Sequence, residues 1–364
     1  MKTNSELQAH IVGGVERIVS DALRAAFRDP RETAFLLRFR EASRRASKTR
    51  LALEKNGEHA PAFLIASITS RCNLHCAGCY SRCIETTTDG EPVGQLSGEE
   101  WARVFREAEE LGVSFILLVG GEPLLRRDVI GAAAAMPDVL FPVFTNGTFL
   151  DEYYVNLFDE HRNLVPVLSL EGGRESTDAR RGAGVYDKLL SVTDSFRERG
   201  VLYGASVTVT TENLREVTSP DYINGLAARG CRLVLFIEFV PVTEDSRRLA
   251  PGNDERRYLD EAVAALRRER DDILLLCFPG DELAMGGCMA AGREFFHINA
   301  RGGAEPCPFS PYSDVNVRDR SLREALNSGL FTALRAGGLL EGEHLGGCVL
   351  YDKRAEVEKL LTGF

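Results

Sequence analysis

Residues 62–79 read AFLIASITSRCNLHCAGC, an apolar run that leads directly into three closely spaced cysteines. The first nine residues are rich in aliphatic and β-branched types, which predicts a strand over 62–70. Cys72, Cys76 and Cys79 follow at C-x3-C-x2-C spacing, so they share one loop at the carboxyl end of that strand. Active sites of α/β barrels are built from such loops. The sequence therefore predicts a metal-binding loop where a barrel enzyme carries its chemistry.

The alternation of strands and helices continues beyond this loop. Short β-rich runs separated by helical stretches indicate a parallel sheet built from βαβ units. Ser97 and Glu100 form a capping box that starts one of the intervening helices. Six βα repeats predict an α/β fold, namely a partial (β/α)6 TIM-like barrel. The predicted strands are 62–70, 114–120, 139–146, 164–170, 203–210 and 232–240.

The chain outside the barrel divides into two further parts. Apolar residues at the helical period over 11–26 and a capping box over 29–32 predict an N-terminal helical extension. After Val240 the alternation ends, and a charged amphipathic helix is predicted over 252–270. We therefore expect a helical extension, the barrel, and a small C-terminal domain that holds the remaining cysteine cluster, over residues 1–60, 61–245 and 246–364.

Composition narrows the classes of function. With 364 residues and 44% hydrophobic composition, the chain can bury a large core. Its formal net charge of -10 repels phosphate backbones and argues against nucleic acid as a partner. Because no apolar run approaches the roughly 20 residues that span a bilayer and no secretory signal is evident, we expect no membrane contact and a cytoplasmic location. Nine cysteines in that reducing compartment indicate metal binding or catalysis rather than disulfides.

The cysteine loop suits an iron–sulfur cluster. Three thiolates bind a four-iron cluster and leave one of its irons without a protein ligand, and an open metal position is what a catalytic site requires. Two other interpretations stay open here: a zinc site, and a ferredoxin-type electron-transfer cluster with Cys83 as its fourth ligand. Ferredoxin motifs favour two-residue gaps, and the three-residue gap between Cys72 and Cys76 departs from them.

The cysteine spacing resembles the signature of the radical S-adenosylmethionine (radical SAM) superfamily, which is CxxxCxxC after the first strand of a partial (β/α)6 barrel. Segments at the ends of later strands are similar to that family as well. Residues 120–123 match its GGEP segment and residues 145–147 match its TNG segment. Residues 169–172 read SLEG and resemble its SLDG segment, with Glu171 in place of the aspartate.

The resemblance also implies which residues contact the cofactor. In the family the GGEP segment binds the amino group of the methionine part; adjacent glycines let backbone carbonyls approach a ligand, and a carboxylate can face an ammonium. Residues 177–182, TDARRG, resemble the family's HDxxRG segment, so Arg181 would pair with the carboxylate of the cofactor. The residues expected to bind S-adenosylmethionine are Gly120, Gly121, Glu122, Pro123, Asn146, Ser169 and Arg181.

By the same resemblance, the catalytic cysteines Cys72, Cys76 and Cys79 hold a 4Fe–4S cluster. The methionine part of S-adenosylmethionine would chelate its open iron, and an electron from a reducing partner such as flavodoxin or ferredoxin would split the cofactor into methionine and a 5'-deoxyadenosyl radical. That radical would remove a hydrogen atom from the substrate. The protein would then supply orientation and exclusion of water rather than acid–base groups.

Three more cysteines lie in the last quarter of the chain. Cys288, Gly302 and Cys307 form a C-x13-G-x4-C pattern that resembles the start of the SPASM and twitch extensions of the superfamily. Residues 295–309 are typical of the β-hairpin in those extensions, with a glycine pair at its turn. The resemblance implies an auxiliary 4Fe–4S cluster held by Cys288, Cys307 and Cys348. Packed or zinc-bound cysteines are the alternative.

The remaining candidates carry weaker signals. Cys83, Cys231 and Cys277 are expected to be structural, and the latter two lie beside apolar runs. Glu238 ends the sixth predicted strand and is a candidate for facing the substrate. The expected substrate is a peptide or a small metabolite that is oxidised or rearranged. The alternative is a non-catalytic iron–sulfur carrier, which would not need the GGEP segment or the serine–arginine pair.

Overall fold

The computed structural model describes residues 30–285, 287–341 and 347–362. Within these residues nine strands form one sheet in the order β7-β6-β5-β4-β3-β2-β1-β8-β9. Neighbouring strands are parallel except for the antiparallel pair of β8 and β9. The strands are β1 Phe63–Thr69, β2 Phe115–Gly120, β3 Phe141–Thr145, β4 Leu164–Ser169, β5 Tyr203–Val209, β6 Cys231–Glu238, β7 Leu274–Phe278, β8 Phe295–Ile298 and β9 Ala304–Glu305.

Helices lie between the parallel strands, as the predicted partial barrel requires. The predicted capping box is present, with Glu100 N–H donating to Ser97 Oγ (3.1 Å) and Ser97 N–H donating to Glu100 Oε2 (2.7 Å). The helices are α1 Pro30–Lys55, α2 Tyr80–Cys83, α3 Gly98–Glu110, α4 Arg127–Ala134, α5 Glu152–Glu160, α6 Arg174–Arg181, α7 Val185–Arg199, α8 Leu214–Val217, α9 Pro220–Ala228, α10 Asn253–Glu269, α11 Leu322–Leu326, α12 Gly329–Ala336, α13 Val349–Asp352 and α14 Arg354–Leu361.

The six predicted strands are β1 to β6, so the α/β barrel prediction is confirmed, and β7 extends it by a strand that the sequence analysis did not predict. Side chains from flanking segments form hydrogen bonds with the backbone of β7 at the edge of the sheet. Arg267 Nε donates to the Leu275 carbonyl (3.0 Å), and Cys277 N–H donates to Asp281 Oδ2 (2.8 Å). Satisfying these groups protects an edge strand from pairing with another chain.

Helix α1 covers the amino-terminal end of the barrel, opposite the cysteine loop. Its Leu36 and Phe39 are buried and pack with Phe115 and Leu140, which lie where β2 and β3 begin. The rings of Phe39 and Phe115 are 5.4 Å apart in an edge-to-face contact. The predicted helix over 11–26 and the first residue of the predicted capping box lie outside the described residues.

The C-terminal region joins the barrel through the sheet itself. The predicted hairpin is present as β8 and β9, and β8 pairs with β1 in parallel, with Phe63 opposite Phe295. The rings of these two residues are 5.0 Å apart. The division of the chain into three domains stays a prediction. In the part of the chain that the structure describes, no helix combines the length and apolarity needed to cross a bilayer.

Candidate active site

The three cysteines that follow β1 are half-buried at the carboxyl end of the sheet. Their loop turns back on itself, with Cys79 N–H donating to the Cys76 carbonyl (3.1 Å). Arg82, on α2, donates from Nε to the Leu74 carbonyl (2.9 Å) and from Nη2 to the Cys72 carbonyl (3.1 Å). Backbone bonds and one guanidinium therefore hold the loop in shape beneath the three thiols.

The environment of the thiols is partly desolvated and carries a positive charge. Burial raises the pKa of Cys72 and Cys76, and the guanidinium of Arg181 acts in the opposite direction at Cys76. Among the described residues, no group of three His, Cys, Asp or Glu side chains is arranged to hold a single metal ion. A four-iron cluster binds each thiolate at a different iron, so its ligands need not converge on one point.

Gly120 and Gly121 bring the end of β2 against the start of the cysteine loop. A Cβ on Gly121 would lie 2.0 Å from the carbonyl oxygen of Arg71, and one on Gly120 would lie 2.3 Å from that of Thr69. Gly120 also has a φ of 133°, which residues with side chains rarely adopt. Both positions therefore require glycine, because any side chain would push β2 away from Cys72.

Glu122 joins three of the predicted segments through hydrogen bonds. Its Oε1 accepts from Thr145 Oγ1 (2.7 Å) and Leu124 N–H (3.1 Å), and its Oε2 accepts from Asn146 N–H (2.9 Å). Burial raises the pKa of this carboxyl, and these donors act against the rise. Asn146 Nδ2 in turn donates to Asn73 Oδ1 in the cysteine loop (3.0 Å). The GGEP segment, the TNG segment and the loop are thus one connected unit, and Pro123 starts the short 3-10 turn that follows.

Glu171, which replaces the aspartate of the family segment, binds two arginines. It is 1% exposed; Arg181 Nη2 donates to its Oε1, and Arg180 Nε lies 3.2 Å from the same oxygen. Thr208 N–H donates to its Oε2 (2.8 Å). Thr177, which replaces the family histidine, accepts from Glu171 N–H through Oγ1 (3.1 Å). Both departures from the family pattern therefore have a structural role.

Arg181 lies between this carboxylate and the cysteine loop. Its Nη1 is 3.8 Å from Cys76 Sγ. Its Nε is buried and has no hydrogen-bond partner within the described residues. A buried guanidinium N–H of this kind suits an anionic ligand such as a carboxylate. Arg180 and Ser169, which lies at the end of β4, border the same space.

A cavity of about 1000 Å³ runs from the cysteine loop into the barrel. Cys72, Cys76, Cys79, Glu122 and Arg181 border its carboxyl-terminal end. Its wall is formed by apolar residues from five strands, among them Phe63, Ile65, Leu117, Phe144, Leu235 and Leu276. Side chains fill the interior of a complete TIM barrel, whereas this interior has room for a ligand with apolar surface.

The three C-terminal cysteines border a second, smaller cavity together with Glu238 and Glu282. Cys288 and Cys307 are buried, and Cys348 is half-buried. A hydrogen bond with the Cys348 thiol, together with burial, raises the pKa of Cys307. Burial and the charge of Glu282 raise the pKa of Cys288. The structure thus brings the three predicted residues together from separate parts of the chain.

Two groups of residues near the site were not identified from the sequence. The ring of Tyr80, directly after Cys79, lies 4.5 Å from that of Phe309 and both line the large cavity. Ser67 Oγ forms a hydrogen bond with His297 Nε2 (2.7 Å), and Nδ1 of the same histidine forms one with Glu305 Oε2 (2.7 Å). An aromatic residue beside a cysteine motif was a usable signal, but the second group depends on strand pairing that the sequence does not reveal.

Comparisons with known proteins agree with this geometry. The family model described as the radical SAM superfamily matches residues 66–219. The AdoMet-dependent heme synthase of Methanosarcina barkeri is 25% identical over 312 residues, which cover 78% of this chain and 88% of that protein. The PqqA peptide cyclase of Rhizobium meliloti is 29% identical over 294 residues, which cover 76% of each chain.

Solved structures show the same fold. Streptococcus suis SuiB bound to S-adenosylmethionine superposes with a TM-score of 0.66 at 17% identity, covering 79% of this chain and 71% of SuiB. SuiB bound to its precursor peptide SuiA gives a TM-score of 0.64 at 17% identity, covering 85% of this chain and 72% of SuiB. The cysteine loop, the family match and the enzymes aligned over most of the chain lead to one conclusion: residues 66–219 of this protein form a radical SAM domain.

Proposed function

We propose that the protein uses S-adenosylmethionine, bound beside a 4Fe–4S cluster on Cys72, Cys76 and Cys79, to remove a hydrogen atom from a substrate in the large cavity. We propose further that the reaction is an oxidative modification or a rearrangement, and that in the oxidative case an auxiliary cluster on the C-terminal cysteines accepts an electron from the substrate radical. The resulting oxidised substrate then loses a proton, which balances the step.

The observation that carries this proposal is that the two cysteine sites border one cavity. Cys307 and Phe309 line both the small cavity beside the C-terminal cysteines and the large cavity beside the cysteine loop. A substrate in the large cavity would therefore lie between the two sites. That arrangement suits hydrogen abstraction at one end and electron transfer at the other.

The residues of the first site fit the groups that the family uses. The three half-buried thiols suit a cluster, and the buried Nε of Arg181 suits the carboxylate of the cofactor. When bound, the cluster supplies the electron that splits S-adenosylmethionine and starts the radical reaction. Gly120 and Gly121 would present backbone carbonyls to the cofactor's ammonium group, and Ser169 would contact the cofactor. The apolar wall would exclude water from the reactive radical.

The cavity supports a substrate with substantial apolar surface. Its wall is mainly apolar, and ligand sites of this kind bury most of the surface of what they bind. The enzymes similar in sequence include a heme synthase and a peptide cyclase, and SuiB is similar in fold and binds a precursor peptide. We propose a peptide or a small metabolite as substrate, with a peptide as the first to test.

We propose the cytoplasm as location and flavodoxin or ferredoxin as reductant.

The test is anaerobic reconstitution with iron and sulfide, reduction with dithionite, and chromatographic measurement of 5'-deoxyadenosine from S-adenosylmethionine. We expect product from the unaltered protein and none from Cys76→Ala. Cys83→Ala is the matched control, because Cys83 is exposed one helical turn beyond Cys79 and should be dispensable. Product from Cys76→Ala, or its loss in Cys83→Ala with iron retained, would contradict the proposed assignment of ligands.

A further inference from the structure

The small cavity beside Cys288, Cys307 and Cys348 also contains two buried carboxylates, those of Glu238 and Glu282. Three cysteines fit three irons of the proposed auxiliary cluster and leave the fourth without a thiolate. A side-chain oxygen that lines the same cavity can complete the set. The question is therefore which of the two carboxylates is held in a position to do so.

Glu282 is attached to the cysteine site through the backbone. It is 2% exposed and lies in the 3-10 turn Gly280–Met285, directly after β7. Its Oε1 accepts a hydrogen bond from the N–H of Met289, the residue next to Cys288 (3.1 Å). Carboxylates that bind metals are typically oriented in this way by a hydrogen bond to one oxygen. The bond fixes the carboxylate relative to Cys288.

Glu238 is held by a cation instead. Arg256 donates to its Oε1 from both Nε (2.8 Å) and Nη2. Binding to iron would compete with this buried ion pair, and breaking such a pair is costly. Glu238 also borders the large cavity, where the sequence analysis expected it to face the substrate. Glu238 is therefore the poorer ligand, and Glu238→Gln, which keeps a side-chain oxygen for Arg256, is a suitable matched control.

We propose that Glu282 is the fourth protein ligand of the auxiliary cluster, which makes it a site of three cysteines and one glutamate. This inference rests on the proposed function, because it requires that cluster. The step is a ligand exchange: a carboxylate oxygen replaces water or hydroxide on the fourth iron, and no electron is transferred. With every iron held by the protein, the auxiliary cluster exchanges electrons with the substrate without binding it directly.

The experiment isolates the auxiliary cluster in the full chain. Cys72, Cys76 and Cys79 are replaced together by alanine, and this parent is reconstituted anaerobically with ⁵⁷Fe and sulfide. Glu282→Ala, Glu282→Cys and Glu238→Gln are then made in it. Mössbauer spectra report whether one iron differs from the rest, and titration with cyanide, followed by EPR of the reduced cluster, reports whether that iron is open.

We expect about one quarter of the iron in the parent to carry a non-thiolate signature. Glu282→Ala should bind cyanide about tenfold more tightly than the parent or lose the cluster, and Glu282→Cys should make the four irons alike. Glu238→Gln should match the parent.

Equal cyanide affinity in the parent and Glu282→Ala, or a distinct iron that persists in Glu282→Cys, would overturn the ligand inference alone. A parent that holds no iron would overturn the auxiliary cluster and the ligand with it. Glu282→Cys adds a ligand rather than removing one, so it keeps the test decisive where Glu282→Ala folds poorly.

Discussion

Arg181 lies between the buried carboxylate of Glu171 and the sulfur of Cys76, and its own burial is nearly complete. A guanidinium in this position has its orientation set before any ligand arrives. Little rotamer freedom is then lost on binding, and a carboxylate that meets its N–H groups gains a charge-assisted hydrogen bond. We expect the affinity for S-adenosylmethionine to depend strongly on this one side chain.

Replacing Arg181 by glutamine should weaken S-adenosylmethionine binding about 10- to 100-fold, because a hydrogen bond to a charged group contributes about 1.5–3 kcal/mol. Equilibrium dialysis of cluster-loaded protein with labelled cofactor measures the change. The matched control is Arg174→Gln, since Arg174 begins the same helix and makes an exposed ion pair with Asp187. An equal loss in both variants would show that helix α6 as a whole, rather than Arg181, determines the affinity.

At the residue scale, the sequence predicted which side chains gather but not how they are connected. The three cysteines of the loop and Arg181 lie together as their spacing and family resemblance implied. The link between Glu171, Arg180 and Arg181 was not predictable, because it depends on where α6 packs against the end of β4. Such contacts follow from tertiary packing, which local sequence patterns do not encode.

At the scale of elements, helix α1 closes the end of the barrel that carries no chemistry. Packing at this end contributes to stability, since barrel active sites lie at the other end. Phe39 is 1% exposed and Leu37, two residues before it on the same helix, is 53% exposed. Substituting each of these two residues therefore separates the effect of lost burial from any effect on helix formation.

Phe39→Ala should lower the free energy of unfolding by about 3–5 kcal/mol, because it removes a buried aromatic ring and leaves a cavity. Leu37→Ala should change it by less than about 0.5 kcal/mol, as exposed substitutions do. Urea unfolding followed by circular dichroism measures both. A similar effect of the two substitutions would mean that α1 does not pack on the barrel as described.

Strand prediction succeeded for β1 to β6 and failed for β7. β1 to β6 follow the predicted ranges closely, and the predicted helix over 252–270 is α10, Asn253–Glu269. The sequence analysis took the alternation of strands and helices to end after Val240, and the buried Cys277 within β7 gave no signal of pairing. Its partners on the outer edge, Arg267 and Asp281, lie in flanking segments that the sequence does not connect to a sheet.

At the scale of the whole molecule, one buried carboxyl, that of Glu294, lies where helix α1 and strands β1 and β8 meet. Glu294 precedes β8, and its carbonyl accepts from Phe63 N–H of β1 (3.2 Å). Burial raises the pKa of its side chain to about 8, while the nearby guanidiniums of Arg50 and Arg293 lower it and Glu54 raises it. The folded protein therefore keeps a proton here that the unfolded chain releases near its ordinary pKa of 4.5.

This difference predicts how stability changes with pH. Since the folded state binds the extra proton, Glu294 should make the free energy of unfolding fall as pH rises from about 4.5 to about 8, by up to about 1.4 kcal/mol per pH unit. Urea unfolding at intervals across this range should show a shallower slope for Glu294→Gln. Glu152→Gln, at an exposed position on α5, is the control. An unchanged slope in Glu294→Gln would mean that its carboxyl titrates alike in both states.

The pairing of β8 with β1 has a further consequence. The cysteine loop follows β1, and Cys307 follows β9, with only β8 between these strands in the same sheet. Adjacent strands are about 4.8 Å apart, so hydrogen bonds fix the lateral offset of the two loops. Strand pairing therefore sets the lateral part of the distance between the two proposed clusters, and the loops beyond the strands set the rest. Substitutions that reshape the cavity for a new substrate, but leave the pairing of β1, β8 and β9 intact, should therefore keep the lateral separation of the two cysteine sites constant.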